Sequence, residues 1–550
     1  MARYNKKTAT VKRESQIINR AGGRAYKHGP KFELVEFLLT NFMTPKYYES
    51  AADAQKRLVQ LVNDNDPEFV AKAAVYARNT FGMRTVTHVT ACELFKACNK
   101  RGESPPWMRQ FVKNVVFRVD DMTEIMAYWL SNQEGKRRIP NALKRGLADK
   151  FGDFDTYQLG KYRGEGKAVS LRDLMNLVHP IPSERNGEVT ISLAKYWAAL
   201  PLKLRKSKYE DNIKNVNGRK TGTIKINAIE ALKLGLLKAD GTWQKDLSAA
   251  GKTSDKKAAK ADVWKKQIRE KKIGIMALLR NLRNIVEQAP DLIDEAAELL
   301  QNERLLLSKN NKMFPYRYYN AYKAMTEVSN SRKMLRAISK ACDIAVGNVP
   351  ELANTLVAVD VSGSMGGGSH FKVGNTSHGA CSSTVGETTL LPVEIGALFG
   401  ASLFKKGECD LMAFASDATF CNYNPDDTVI GNTEKICKLN GVNGHGTNFH
   451  AIFDRAKEKY ERIVIFTDCQ GWMGYDTPEA SINKWMRRVG QKEQPWIYTV
   501  NLAGHGNTVI DPAKPKNIAL AGFSDKIFDL MYWTEIDKNA LITVIEKIEF

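Results

Sequence analysis

The chain of 550 residues contains no run of about 18 or more uncharged apolar residues, the length a helix needs to cross a bilayer. Met1 to Arg13 are polar and basic with no apolar core, so a secretory leader is not expected and the cytoplasm is the expected location. The eight cysteines include no Cys-x-x-Cys pair, which argues against a structural zinc site and against a disulfide framework. They read as reduced thiols, mostly buried. No nucleophile elbow, Walker loop, dinucleotide fingerprint or His-Glu-x-x-His helix occurs, so no motif argues for an enzyme. Up to residue 345, β-branched runs with turn signals are scarce, and the expectation there is an all-helical domain.

What is present in excess is positive charge. The 82 Lys and Arg outnumber the 61 Asp and Glu, a formal +21. The excess is unevenly spread: residues 346–550 hold 18 basic and 24 acidic side chains, so residues 1–345 hold the other 64 and 37, a balance of +27. A polyanion-binding part joined to a non-binding part has this asymmetry, because cations set against phosphates release condensed counterions. Basic surface also serves solubility, but solubility alone does not confine the charge to one part of the chain.

Hydrophobic spacing divides the chain at about the same place. Phe32, Val35, Leu38, Leu39 and Phe42 recur at helical spacing, as do Phe69, Val70, Ala73, Ala74 and Ala77, and Ile275, Leu278, Leu279, Leu282 and Ile285. So many helices in roughly 300 residues predict stacked antiparallel pairs of the HEAT-like kind. Lysine-rich stretches at 204–220 and 252–272 read as solvated faces or loops. After Val349-Pro350, short apolar runs at Thr355–Val359, Leu411–Ala415, Arg462–Phe466 and Trp496–Asn501 alternate with segments able to form helices, which predicts a doubly wound, mostly parallel α/β sheet. Domains are accordingly expected at 1–348 and 349–550.

The second domain carries the one motif with metal chemistry. Asp360-Val361-Ser362-Gly363-Ser364 follows the first strand directly, so a carboxylate and two hydroxyls converge at a strand end, where ligands of such sheets bind. Thr447 and Asp468 stand at later strand ends in the right order. Together the five resemble a metal-ion-dependent adhesion site, with Ser362, Ser364 and Thr447 ligating directly and Asp360 and Asp468 acting through water or holding the hydroxyls. The cofactor expected is a divalent ion, Mg2+ first. An Asp-x-Ser-x-Ser string by itself is equally a helix cap; the ordered Thr and second Asp favour metal. Residues 366–389, with His370 and His378, read as an insertion beside the site, and His445 and His450 as loop residues flanking Thr447.

Several longer blocks resemble the Ro autoantigen TROVE module: Ala71 to Arg78, Arg138 to Leu143, Phe154 to Tyr162, Val169 to Pro180 and Ala277 to Leu282. A von Willebrand factor A-like domain follows in that family's order, so the resemblance covers nearly the whole chain. It implies a ring of helical repeats closed by the A-like domain, with small structured Y RNAs on the basic outer surface and single-stranded ends of misfolded non-coding RNAs in a central hole. Lys161, Arg163, Arg172 and His179 match the neighbourhood that contacts Y RNA. Arg84, Thr87, His88, Arg137 and Arg138 are expected on the same face or lining the hole. The partners implied are non-coding RNA and, at the metal, an exoribonuclease or other protein ligand; no membrane is expected, and the chain is expected to be monomeric. An RNA quality-control scaffold is the first reading, and a metal-dependent module for an acidic protein partner is the alternative. A metal nuclease is disfavoured, because one hydroxyl-rich ion site lacks the carboxylates of two-metal hydrolysis.

Overall fold

The computed structural model describes the chain apart from residues 1–15, 45–47, 132–137, 202–214, 217–218, 221, 239–242, 308–312, 314, 330, 367–371, 374–375, 378–389, 475–476 and 525. Two compact units result, one made of the described residues up to Asn65 with Trp264–Lys547, the other of Asp66–Val263 with Ile548–Phe550. Among the described residues no helix is long and apolar enough to cross a membrane.

The Asp66–Val263 unit is built on helices α3 (Pro67–Asn79), α4 (Thr85–Arg101), α5 (Met108–Val115), α6 (Val119–Ser131), α7 (Asn141–Phe151), α8 (Thr156–Lys161) and α9 (Leu171–Val178). α3 packs on α4 and α5, α5 on α7, and α4 on α6, so helices one or two apart in sequence are neighbours in space. The predicted apolar set of α3, Phe69, Val70, Ala73, Ala74 and Ala77, is buried. Its start is fixed by Asp66, whose side chain accepts from the Phe69 backbone N–H, with Pro67 in the first turn. Strand structure interrupts the helices: β3 (Glu188–Ser192) pairs antiparallel with β4 (Thr223–Asn227), Ile191 facing Ile224 and Val189 facing Ile226. Alternating β-branched residues in short segments account for it, a period too brief to weigh against the surrounding helical pattern.

The other unit holds an α/β sheet. Its strands are β5 (Thr355–Asp360), β6 (Cys409–Phe414), β7 (Ala418–Phe420), β8 (Arg462–Thr467), β9 (Trp496–Asn501) and β11 (Asn517–Ala521), in spatial order β7-β6-β5-β8-β9-β11. All pairings are parallel except the edge pair of β6 with β7. Every residue of β5 is buried, as a central strand covered on both faces requires. Leu356 and Ala358 enter a core with Phe453, Ile463, Ile465 and Trp485. On the opposite face the helix Pro392–Lys406 lies close, because a Cβ on Gly400 would come 2.7 Å from Val359 Cγ2. The four strands expected from the sequence are all present.

The N-terminal segment belongs to this same unit. β1 (Gln16–Ile18) and β2 (Arg24–Lys27) form a hairpin, and β2 pairs with β10 (Asn507–Thr508). Helix α1 (Pro30–Thr40) is buried over seven consecutive residues, Leu34 to Thr40, rather than along one face. That burial includes the carboxylate of Glu36, which accepts from Asn501 Nδ2 at 2.5 Å and from the Gly506 backbone N–H at 3.0 Å.

Candidate functional site

At the carboxyl end of β5, Asp360 is fully buried and its carboxylate is held at both oxygens: the Ser362 backbone N–H donates to Oδ1 at 2.9 Å and the Thr467 hydroxyl to Oδ2 at 2.6 Å. The Ser362 and Ser364 hydroxyls lie 3.4 Å apart, so both face one point. Asp468 follows β8 directly, accepts from the Gln470 backbone N–H at 3.0 Å, and is bonded by the Ser364 side chain. Cys469, with φ 60°, turns the chain sharply between these residues.

The loop bearing Thr447 is brought to the same place by backbone contacts. The Gly363 N–H donates to the His445 carbonyl at 3.1 Å, the Gly446 N–H to the Ser416 hydroxyl at 3.0 Å, and the Thr447 carbonyl accepts from Trp472 at 3.2 Å. Asn440 Nδ2 reaches the Val361 and Ser362 carbonyls at 2.9 and 3.0 Å. Thr467, Asn440 and Ser416 were not singled out from sequence. The adjacency of Thr467 to Asp468 was the only local signal for any of them.

The donor set fits a hard cation. It is all oxygen, two carboxylates and three hydroxyls, each at most 9% exposed. Burial, and then the charge of Asp468, push the Asp360 carboxyl up to about 7. Burial raises Asp468 as well, against the Ser364 hydrogen bond. Two acids both pushed up by burial are an arrangement that a divalent ion would relieve. His370 and His378 lie outside the described residues. His450 Nδ1 contacts the Ser481 hydroxyl at 2.8 Å, consistent with a loop role.

In the helical unit, Lys161 ends α8, Arg172 stands in the first turn of α9, and His179 caps the end of α9 in the left-handed conformation (φ 52°); all three are exposed. Two capping boxes set these positions, Asp155 with Gln158 for α8 and Ser170 with Asp173 for α9. Lys161 Nζ lies 5.6 Å from the Tyr157 ring centroid and 5.4 Å from that of Tyr162, and Arg118 stacks on Tyr162 at 5.0 Å. Arg163 is half-buried; it donates to the Leu237 carbonyl at 2.7 Å and pairs with Glu165 at 3.1 Å. Arg172 Nε donates to the Lys233 carbonyl at 3.1 Å. The aromatic partners Tyr157 and Tyr162 went unremarked in the sequence, although they flank Lys161 within one block.

Arg84 and His88 are placed differently. Both pair with the buried Asp121, at 3.0 and 3.2 Å, and Arg84 also pairs with Asp120 at 2.6 Å. Arg78 joins the same carboxylate at 2.7 Å. His88 is buried, so its ring is a strut of this network, and Thr87, also buried, bonds back to the Met83 and Arg84 carbonyls. Arg138 is exposed, and Arg137 lies outside the described residues. All seven cysteines among the described residues are free thiols, six of them buried.

Comparison with known proteins finds a match that runs across both compact units. A family model described as the TROVE domain matches residues 43–246 and 237–343. Telomerase protein component 1 of Mus musculus is 25% identical over 313 residues, 48% of this chain, and that of Rattus norvegicus 23% identical over 307 residues, 47% of this chain. The alignments span only 11% of those two relatives' length. The crystal structure of the Deinococcus radiodurans Ro (RSR) protein matches with a TM-score of 0.51 at 14% identity, over 94% of this chain and 99% of that one, a likeness of fold. With more than half of its length matched by the family model, the chain belongs to the TROVE domain family.

Proposed function

We propose that the chain is a scaffold for small non-coding RNA of the Y type, gripped on the exposed surface formed by α8 and α9, and that it also takes single-stranded ends of misfolded RNAs in RNA quality control. The observation that carries this reading is the exposure of Lys161, Arg172 and His179 on two capped helices, with Tyr157 and Tyr162 beside the Lys161 ammonium. Cations at fixed spacing supply phosphate contacts and orientation, and tyrosine faces supply sequence-tolerant stacking. Such a surface suits RNA better than duplex DNA, since A-form grooves hide base edges and recognition falls to shape, backbone and unpaired bases.

The test is filter binding of a structured RNA to wild type and to a Lys161→Ala, Arg163→Ala, Arg172→Ala triple variant over a range of salt. The triple variant is expected to bind more weakly, with the slope of log K against log salt shallower by roughly 0.7–0.9 for each phosphate that the protein no longer neutralises. Equal affinity and equal slope would remove this surface from the account.

The second reading concerns the proposed A-like domain, and the observation favouring it is the buried, all-oxygen set at the ends of β5 and β8, with the Ser362 and Ser364 hydroxyls 3.4 Å apart. Ser362, Ser364 and Thr447 would hold a divalent ion, with Asp360 and Asp468 orienting the hydroxyls or binding through water. With so few charged ligands a bound Mg2+ stays electrophilic and offers a coordination position to a carboxylate or phosphate of a protein partner.

A further inference from the structure

Between the ends of α3, α5 and α7 opens a cleft of about 640 Å³, lined by Asn79, Lys113, Phe117, Lys150, Phe154 and Arg185 among others. Its size falls in the roughly 300–1,000 Å³ range of small-ligand sites. Nothing in the metal reading or in the grip of α8 and α9 uses it. Two features set it apart from ordinary surface.

The first is Phe117, a large ring 55% exposed on the wall of a polar cleft. Its position is fixed rather than accidental: the Phe117 and Arg118 backbone N–H groups both donate to Asp121 Oδ2, at 3.0 and 2.9 Å, and Arg78, held by the same carboxylate, stacks 5.3 Å from the ring centroid. One face of the ring is therefore backed by a guanidinium.

The second is the charge on the wall. Lys113 and Lys150 share a single carboxylate, Asp153, at 3.5 and 3.2 Å, so two ammonium groups are matched by one negative charge. Arg185 is exposed and has neither an ion pair nor a hydrogen bond among the described residues. An aromatic face next to surplus cations is the chemistry of a nucleobase joined to its phosphate.

We infer that this cleft takes one unstacked nucleotide of a bound RNA, its base laid against Phe117 and its phosphate set among Lys113, Lys150 and Arg185. The inference rests on the RNA reading above and extends it to a single-nucleotide pocket. Continuity supports it: Gln158 lines the cleft from α8, the helix that ends in Lys161, and Arg118, the residue after Phe117, stacks on Tyr162 beside that lysine. A strand gripped by α8 thus has a base-sized recess within reach along the same helix.

The experiment is fluorescence anisotropy of the full chain with labelled single-stranded RNA of about ten nucleotides, and with an abasic oligomer of equal length and charge. Phe117→Leu is expected to weaken the base-bearing oligomer about tenfold while leaving the abasic one unchanged, and Phe117→Trp to restore binding. Arg185→Ala, at an exposed position that the fold does not use, is expected to weaken both oligomers and to flatten their salt dependence. Should Phe117→Leu bind the base-bearing oligomer as wild type does, or lose both oligomers equally, the pocket is overturned, while the triple variant at Lys161, Arg163 and Arg172 reports separately on the RNA surface. If that triple variant and the Phe117 and Arg185 variants all bind unchanged, the RNA reading falls with the pocket.

Discussion

Asp121 shows how one side chain organises a region. Burial alone would push its carboxyl up, but the hydrogen bond from His88 and the charge of Arg78 outweigh burial and hold it well below the ordinary carboxylate range. A depressed acid contributes stability above its unfolded value, near 4, that is lost as pH falls through the folded value. Acid unfolding of the Asp66–Val263 unit should therefore begin below about pH 4 and be absent as a distinct step in Asp121→Ala. At neutral pH that variant leaves Arg78 buried and unpaired, a loss of about 3–5 kcal/mol readable in urea unfolding. A loss under about 1 kcal/mol would mean the network is incidental. Glu36 runs the other way. Burial raises its carboxyl to about 7 from 4.5, so it costs nothing below about pH 4.5 and destabilises increasingly as pH rises to 7. Its neighbour His28, lowered by burial to about 3, loses stability in the opposite direction, on acidification. Subtracting the pH–stability profile of Glu36→Gln from that of wild type isolates the carboxyl: the difference should appear between pH 4.5 and 7, and a flat difference would refute the assignment.

Among the elements, the spacing of α5 and α7 depends on Gly146. A Cβ there would lie 2.6 Å from Val112 Cβ and 2.7 Å from the Arg109 carbonyl, and backbone cannot step aside as a flexible side-chain tip can. Alanine in a helix interior gains about 1 kcal/mol over glycine, whereas overpacking costs about 1–3 kcal/mol. With two contacts this close the clash should win, so Gly146→Ala is expected to lower the unfolding midpoint of the helical unit. A raised midpoint would show the two helices free to separate. The same elements explain what was legible. Asp155-x-x-Gln158 and Ser170-x-x-Asp173 are local signals, and they fix where Lys161 and Arg172 stand. The antiparallel pair β3 and β4 was not legible, because its partners are separated by the lysine-rich 204–220 stretch, most of which lies outside the described residues.

For the molecule as a whole, charge and metal make separate predictions. The +27 balance of residues 1–345 against the negative remainder predicts that added salt weakens the proposed RNA binding, whereas the proposed ion site between β5 and β8 is buried and less screened. A cation that binds only the folded state adds about 2.7 kcal/mol at a hundred times its dissociation constant. Mg2+ titration should thus raise the thermal midpoint of the unit containing β5 and β8 in wild type and fail to do so in Ser362→Ala. A Ser362→Ala protein stabilised by Mg2+ as wild type is would remove the site.

The sequence by itself determined the amphipathic helices, the four apolar strands of the α/β sheet, the carboxyl-terminal placement of Asp360 and Asp468, and the family, because hydrophobic period and strand ends are written in nearby residues. Only the tertiary structure decided which cations are free. Arg84 and His88 read as ligand-facing, yet they answer to Asp120 and Asp121 more than thirty residues on, and α1 is packed with the sheet unit through Glu36 and Asn501, 465 positions apart. A charge's partner is chosen by distance in space, and that distance exists only once the helices have packed.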